Sequence, residues 1–413
     1  MVIYEQMNDR VILHSDLNNF FASVEIILNP QLAGSPVAVC GDPALRKGIV
    51  LAKCEIAKKF GIKTGDTVWM AKQKCPEIQI VTPRHKLYSE YSKKVRDIYY
   101  RFTDKIEPFG IDEAWLDVTA SRKLFGTGEE IAHKIKQAVR DELGLTLSIG
   151  VSWNKTYAKI GSDLTKPDSV MIIDRANYKQ EVWPLPVNTM LYVGRKTTEL
   201  FRRLNIKTIG DLANTSAELL HPRLGVMAYK LVAMARGECN EDVAMATTAD
   251  KPKSVGNGTT TRRDMTTMRQ IRHVTYLLAE EVGTRLRKKG LHGQTINMSV
   301  RSSDLSWTGA QTTISSPTNH PNTITEHALE IFKKTHDIEK KPVRGLRVAV
   351  SNLSNANQPM QTNLFDNKSS QKDITRLFDK IRQKHGKTKC VAYGTFLDDD
   401  MDDIEIENDD EEF

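Results

Sequence analysis

The chain has few cysteines, and their arrangement excludes several classes of protein. Five occur in 413 residues, an odd number, and none stands in a C-x-x-C pair. This argues against a disulfide framework and a cysteine-based zinc site, and it fits a reducing compartment. No apolar run approaches the roughly 20 residues that cross a bilayer, and the opening MVIYEQMNDR lacks the basic and apolar blocks of a secretory signal. We therefore expect a cytoplasmic protein without membrane contact.

Basic residues exceed acidic ones over most of the chain, and the formal net charge of +7 understates that excess. Residues 398–413 contain eleven carboxylates and no Lys or Arg, so the preceding residues alone carry a net charge of +18. A large basic body favours a polyanionic partner, most simply nucleic acid, although a well-solvated surface would give the same excess. The acidic end is typical of a disordered tail.

The length and the pattern of apolar residues predict several domains. Strand-like and helix-like segments alternate up to about residue 170, which predicts an α/β or α+β layer. Residues 188–238 predict helices alone. Residues 240–253 are polar, as in a linker, and residues 254–351 return to strand-like pieces around two helices.

Three carboxylates stand at the ends of apolar runs. Asp16 follows a strand-like run, while Asp112 and Glu113 are adjacent within the run 107–119. Asp16 alone would suit a helix N-cap, and the adjacent pair would suit a solvated hairpin. Burying all three is costly unless something neutralises them. A pair of Mg²⁺ ions does so, and two such ions about 3.5–4 Å apart are the standard means of in-line phosphoryl transfer.

The adjacency of Asp112 and Glu113 raises a geometric objection. Neighbouring side chains of a regular strand point to opposite faces, so these two carboxylates could not both face one site. We expect the turn at 108–110, or a local bulge, to re-aim one of them.

Four segments together resemble the Y-family translesion DNA polymerases, most closely the UmuC/DinB branch of bacteria. They are HSDLNNFFASVE at 14–25, LAKCEIAKKFGIKTG at 51–65, GIDEAWLDVT at 110–119 and SIGVSWNKTYAKIGSDLTKP at 148–167. The resemblance, which extends to about residue 355, implies a multidomain α+β fold. Its parts would be a right-hand polymerase with palm, fingers and helical thumb, and a C-terminal α/β little-finger domain.

The resemblance also implies domain boundaries. The expected ranges are 1–27 and 84–170 for the catalytic palm, 28–83 for the fingers, 171–239 for a helical thumb with a helix–hairpin–helix, 240–253 for a linker, 254–355 for the little finger, and 356–413 for a tail with a clamp-binding peptide and an acidic end.

The same resemblance assigns the metal ligands. Asp16 and Asp112 would bridge two Mg²⁺ ions. Glu113 would bind the ion that activates the primer 3′-hydroxyl, and the backbone carbonyl of Leu17 would be a further ligand. The substrates would be primer–template DNA and a dNTP.

Other positions would bind the nucleotide. Phe21 falls at the family's steric gate, an aromatic ring that excludes a 2′-hydroxyl; without the resemblance it would be read as a core residue, the role expected of Phe20. Lys58, where Arg is usual, and Lys166 would offset the negative charge of the triphosphate. Glu55 replaces a Tyr that touches the triphosphate, and since a carboxylate would repel phosphate we exclude it from the site.

Two later regions fit contact with the DNA backbone. Residues 193–212 resemble the family's helix–hairpin–helix, whose turns offer N–H groups to a phosphate, although Arg195 and Asn205 depart from it and an ordinary helical bundle remains an alternative. In the expected little finger, three segments would supply basic and hydroxyl residues on strands: 259–267, 285–290 and 299–303.

The sequence QTNLF at 361–365 matches the Q-x-x-L-F pattern by which bacterial polymerases dock on the sliding clamp. Gln361 would form hydrogen bonds, and Leu364 and Phe365 would fill an apolar pocket. The alternative is an ordinary linker. Accessory SOS proteins are further candidate partners, because some UmuC relatives require them.

These observations together predict a low-fidelity, template-directed DNA polymerase that extends primers past damaged template in the cytoplasm, associated with the nucleoid. The alternative is a catalytically weak or inactive regulator that binds DNA and the clamp, an alternative that Glu55 keeps open. A third candidate, a nucleotidyl cyclase, needs neither the little-finger-like domain nor the clamp peptide.

Overall fold

A computed structural model describes residues 10–46, 48–245, 252–356 and Ile381, which fall into two compact units. The first unit comprises the described residues of 10–41 and 49–245, and the second comprises those of 42–48 and 252–381. The predicted clamp peptide and acidic tail lie outside the described residues. Within the described ranges, no helix is long and apolar enough to cross a membrane.

The first unit contains eight strands and twelve helices among its described residues. The strands are β1 (Ile12–Leu17), β2 (Val37–Cys40), β3 (Val50–Lys53), β4 (Gln79–Val81), β5 (Ile106–Phe109), β6 (Glu113–Asp117), β7 (Leu147–Ser152) and β8 (Val170–Ile172). The helices are α1 (Phe20–Leu28), α2 (Glu55–Lys59), α3 (Val68–Lys74), α4 (His85–Tyr99), α5 (Arg122–Phe125), α6 (Gly128–Leu143), α7 (Lys155–Leu164), α8 (Tyr178–Glu181), α9 (Arg195–Arg203), α10 (Ile209–Ala213), α11 (Ala217–Leu224) and α12 (Met227–Arg236). Short 3₁₀ turns span Pro30–Leu32 and Val187–Thr189 in this unit, and Pro43–Leu45 in the second unit.

The larger sheet of the first unit has the strand order β5-β6-β1-β7-β8, and β1 is antiparallel to both neighbours. A smaller sheet has the order β3-β2-β4. Strands β1 and β7 are buried along their whole length because helices cover both faces of the larger sheet. One face packs on α4 and α6, and the other packs on α7.

Gly150 lets α7 lie directly on β7. A Cβ atom at this position would be 1.9 Å from the carbonyl oxygen of Ala158 and 2.5 Å from the nitrogen of Ser162. Any larger residue would therefore push the helix off the sheet. The close approach fixes the position of Lys159 on α7 relative to the strands.

The helices from α9 to α12 enclose a second core around Phe201, Leu212 and Leu231. Asn205, in the connection between α9 and α10, has a φ of 58°, a left-handed conformation that glycine adopts most readily. The expected boundary between palm and thumb at residue 170 falls inside β8, which pairs with β7. The division into palm, fingers, thumb and little finger stays a prediction.

The residues just after α12 pack on the first unit although their sequence is polar. Val243, 4% exposed, joins a small core with Ile12 and Trp115. The backbone nitrogen of Ala244 donates to Glu107 Oε2 at 2.8 Å. Part of the predicted linker is thus attached to the larger sheet.

Among its described residues, the second unit combines one sheet with two long helices. Its strands are β9 (Ser254–Met265), β10 (Leu291–Ser302), β11 (Trp307–Thr318) and β12 (Val343–Asn355), and its helices are α13 (Met268–Lys288) and α14 (Pro321–Thr335). The strand order is β11-β10-β12-β9, all antiparallel. The helices cover one face of the sheet. The predicted α+β class is confirmed.

One basic segment of this unit was predicted wrongly. Residues 285–288 form the last turn of α13 rather than part of a strand. The reason is helical spacing: Leu278, Val282 and Leu286 are buried on one face of α13, and the basic residues of its last turn flank Leu286 in the sequence. The other two segments begin on strands as expected, with 259–265 in β9 and 299–302 in β10.

Candidate active site

Two paired strands bring the predicted carboxylates to one end of the larger sheet. Asp16 on β1 stands opposite Glu113 on β6 in the antiparallel register. Beyond this pair, the backbone nitrogen of Leu17 donates to the carbonyl oxygen of Asp112 at 3.0 Å. Asp16 is only 7% exposed. The strand pairing therefore brings all three acidic residues close together at the end of β1 and β6.

The adjacency of Asp112 and Glu113 is resolved by the turn. Strand β6 begins at Glu113, and Asp112 belongs to the turn that follows β5, where Gly110 has a φ of +79°. The alternation of side chains along a strand does not apply to a turn residue. Asp112 and Glu113 both line one small cavity together with Leu17. The turn thus frees Asp112 from the alternation of the strand, and the expectation that both carboxylates face one site stays a prediction.

Two lysines contact the carboxylates. Lys166 Nζ lies 2.6 Å from Asp16 Oδ2 and 2.7 Å from Asp163 Oδ1. Lys159 Nζ forms an ion pair with Glu113 Oε2. The sequence predicted Lys166 as a triphosphate ligand and not as a partner of Asp16, and Lys159 was missed. The available signal was its place on α7, inside one of the segments that carry the family resemblance.

The environment gives the carboxylates different acidities. Burial raises the pKa of Asp16 to about 7, against the opposing charge of Lys166. Burial and the nearby charge of Glu113 raise the pKa of Asp112. Burial acts in the same direction on Glu113, but its contacts with His14 and Lys159 outweigh it and lower its pKa to about 2. Glu113 is thus the carboxylate most firmly held in its ionised form.

His14 is a second neighbour that sequence reasoning did not single out. It is fully buried on β1, with Nδ1 2.8 Å from Ser162 Oγ and Nε2 3.3 Å from Glu113 Oε2. Burial lowers its pKa, so the ring is neutral near pH 7. It packs edge-on against Trp115.

The two aromatic residues at the start of α1 have different surroundings. Phe20 is 2% exposed and belongs to the core. Phe21 is half-buried and stacks on Tyr88, with ring centroids 4.1 Å apart and an interplanar angle of 14°. The Tyr88 hydroxyl donates to the buried Glu25 at 2.6 Å, and Glu25 also pairs with Arg84. A fixed platform therefore supports the Phe21 ring.

Two family models match the chain. The impB/mucB/samB family matches residues 15–163, and the impB/mucB/samB family C-terminal domain matches residues 252–364. The chain belongs to the Y-family DNA polymerases. Its similarity to DNA polymerase IV of Acetivibrio thermocellus is 43% identity, covering 94% of this chain and 98% of the relative. Its similarity to DNA polymerase IV 2 of Bacillus subtilis is 36% identity, covering 93% and 94%.

A solved Y-family structure has the same fold. The polymerase chimera Dbh-Dpo4(243-245)-Dbh superposes with a TM-score of 0.73 at 25% identity, covering 83% of this chain and 98% of that one. These similarities confirm the expected Y-family fold and the expected enzyme class, a DNA-directed DNA polymerase.

In this Y-family chain Lys58 forms no ion pair with Asp16, Asp112 or Glu113. It is exposed on α2, and its Nζ lies 2.6 Å from Glu55 Oε1. The same oxygen of Glu55 accepts a hydrogen bond of 2.8 Å from Asn19 Nδ2. Glu55, excluded from the site on sequence grounds, therefore joins Lys58 to the residue that precedes α1.

The donor set of the Y-family site fits a hard divalent cation in its chemistry. Carboxylate and carbonyl oxygens are the ligands that Mg²⁺ prefers. Among the described residues, however, no group of three or more His, Cys, Asp and Glu side chains is arranged to hold a metal ion. Lysine ammonium groups neutralise Asp16 and Glu113 instead.

Proposed function

We propose that the chain is a low-fidelity, template-directed DNA polymerase that extends a primer past damaged template by two-metal nucleotidyl transfer from dNTPs. The observation that carries this proposal is the register of β1 and β6, which sets Asp16 opposite Glu113 beside the Asp112 turn. The family to which the chain belongs supports translesion synthesis as its function.

The carboxylates and the Leu17 carbonyl would hold two Mg²⁺ ions. When bound, the ions would lower the pKa of the primer 3′-hydroxyl and neutralise the leaving pyrophosphate. Asp16, Asp112 and Glu113 would supply the carboxylate oxygens that hold them. The raised pKa values of Asp16 and Asp112 are those of crowded, buried carboxylates that favour a cationic partner.

The lysines would change partners when substrate binds. Lys166 contacts Asp16 and Asp163 through one ammonium group, and a triphosphate offers it a more highly charged partner. Lys166 would exchange its contact with Asp16 for the phosphates. Lys159 would hold Glu113 in its ionised form through their ion pair.

Phe21 would select the sugar. Its ring is held by Tyr88, which is itself tied to Glu25 and is fully buried. A ring that cannot retreat excludes a 2′-hydroxyl by contact rather than by hydrogen bonding.

Such an enzyme would work in the cytoplasm, where it would reach the nucleoid.

Primer extension on undamaged and lesion-bearing templates tests the proposal. With Mg²⁺ and dNTPs the wild type should extend both, and Asp112→Ala should lower the rate by about 10³-fold or more, since a metal ligand is lost. Asp141→Ala, the same change at an exposed position of α6, is the matched control and should leave the rate unchanged. If the wild type extends nothing under any metal, the chain is a binding protein with a polymerase fold.

We also propose a sliding clamp as a partner through Gln361, Leu364 and Phe365. Deleting residues 361–365 should abolish clamp-stimulated synthesis and preserve unstimulated synthesis. If stimulation survives the deletion, this segment is a linker. Adding accessory SOS proteins to the same assay tests whether they raise the rate.

A further inference from the structure

We propose that Glu55 is a positioning residue for the incoming nucleotide, which ties α2 to the start of α1 through Asn19 and orients Lys58 toward the triphosphate. The proposal rests on the proposed function, because it presupposes a nucleotide bound beside Phe21 and Lys58. It assigns a role to a carboxylate that would otherwise be expected to repel phosphate.

A single oxygen of Glu55 makes both contacts. Glu55 Oε1 accepts a hydrogen bond of 2.8 Å from Asn19 Nδ2 and another of 2.6 Å from Lys58 Nζ. Asn19 and Glu55 are 36 residues apart in the chain. The bond to Asn19 therefore joins two separate elements, whereas the bond to Lys58 lies within α2.

Asn19 occupies a critical place in the backbone. Strand β1 ends at Leu17, and α1 begins at Phe20, directly after Asn19. Asn19 has φ 53° and ψ 35°, a left-handed conformation that Asn adopts more readily than most residues other than glycine. Its side chain makes no capping bond to α1 and goes to Glu55 instead. Glu55 thus stabilises the link between the strand of Asp16 and the helix of Phe21.

The charge of Glu55 is matched locally. Burial would raise its pKa, but the hydrogen bonds from Lys58 and Asn19 lower it overall, so the carboxylate is ionised at neutral pH. An ionised Glu55 paired with Lys58 does not present an unopposed negative charge to a phosphate. The pair holds the Lys58 ammonium group in one place, while a solitary exposed lysine would sample many positions.

Glu55 could position the nucleotide or only repel its phosphates, and the two roles predict opposite changes in KM for the dNTP when Glu55 is removed. Steady-state single-nucleotide insertion measures that change. If Glu55 positions the nucleotide, Glu55→Ala should raise KM for the dNTP about tenfold, equivalent to about 1.4 kcal/mol, with a smaller change in kcat. Glu55→Gln keeps an acceptor for Asn19 and should fall between the wild type and Glu55→Ala. An unchanged or lower KM in Glu55→Ala would overturn the proposal and show that the carboxylate only repels phosphate.

Asn19→Gly provides a second test. Glycine accepts φ 53° without strain, so this change removes the contact with Glu55 and spares the backbone conformation. Asn19→Gly should raise KM, and the double variant Asn19→Gly with Glu55→Ala should be no worse than Glu55→Ala alone. Additive effects would mean that the two residues act independently, which would contradict the proposed tie.

Calorimetric titration with dATP and Mg²⁺ distinguishes failure of this inference from failure of the proposed function. A wild type that binds dATP but extends no primer would refute the polymerase activity, and weaker binding by Glu55→Ala would still support the role of Glu55. Equal binding by the wild type and Glu55→Ala, or no binding by either, would overturn the inference.

Discussion

The larger sheet of the first unit and the sheet of the second unit differ in where their charged side chains lie. In the first unit, β1 and β7 are buried on both faces, and the charged side chains gather at one end of β1 and β6. In the second unit, β10 and β12 alternate, with one face against α13 and α14 and the other exposing residues such as Arg347.

This difference suits the first sheet to a reaction site and the second sheet to binding of the DNA backbone. A buried charge is costly unless it is paired, as Asp16 is with Lys166. Because the pair has a defined position, it would place Asp16 for a metal ion and Lys166 for a phosphate. An exposed Arg on an open strand costs little and meets any phosphate backbone without reading sequence. Changes in the first sheet should therefore alter the reaction, and changes in the second should alter DNA affinity.

The largest effect among the following predictions is expected at Lys166. Lys166→Ala removes the ammonium group beside Asp16, which we propose also binds the triphosphate, and it should lower kcat/KM for a dNTP about 10²-fold. Lys166→Arg keeps the charge and should lose less. Single-nucleotide insertion kinetics measure both variants, and full activity in Lys166→Ala would remove this lysine from the site.

An intermediate effect is expected at Phe21. Phe21→Ala opens the space above Tyr88 and should raise ribonucleotide incorporation relative to dNTP incorporation at least about tenfold. Phe20→Ala is the matched control. It should leave this ratio unchanged and lower the free energy of unfolding by about 3 kcal/mol or more, because the Phe20 ring is buried. Equal sugar discrimination in Phe21→Ala and the wild type would show that the gate lies elsewhere.

The smallest effect is expected in the second sheet. Arg347 is exposed on β12, opposite Gly258 of β9 and Ser299 of β10. Arg347→Ala should weaken primer–template binding a few-fold and reduce the slope of log affinity against log salt by about one. Lys334→Ala removes the same charge from α14, on the covered side of the sheet, and should leave the slope unchanged. If the salt-dependence slope is the same for both variants and the wild type, this face of the sheet does not bind DNA.

Much of the fold follows from local patterns in the sequence. The alternation of strand-like and helix-like segments predicted up to about residue 170 is present: the apolar run LSIGVS forms β7, and α7 follows it and ends at Leu164. The hairpin of β5 and β6 also follows, because apolar alternation and a Gly-containing turn are both local signals.

Long-range partners could not be predicted. Nothing local links Lys159 to Glu113 or Asn19 to Glu55, since those contacts arise only when α7 packs on β7 and α2 lies beside α1. The burial of Val243 in a polar stretch has the same origin. Residues 285–288 were assigned to a strand because a basic cluster resembles a DNA-contacting strand, whereas the buried leucines and valine of α13 decide for a helix.

The most direct test of the central claim is metal binding at the carboxylate end of β1 and β6. Electron paramagnetic resonance with Mn²⁺, a spectroscopic substitute for Mg²⁺, can compare the wild type, Asp112→Asn and Asp141→Asn. Asp112 pairs with neither Lys159 nor Lys166, so its substitution leaves both lysine contacts in place. We predict that Asp112→Asn weakens Mn²⁺ binding at least about tenfold and that Asp141→Asn does not. Equal Mn²⁺ affinity in all three proteins would contradict the account.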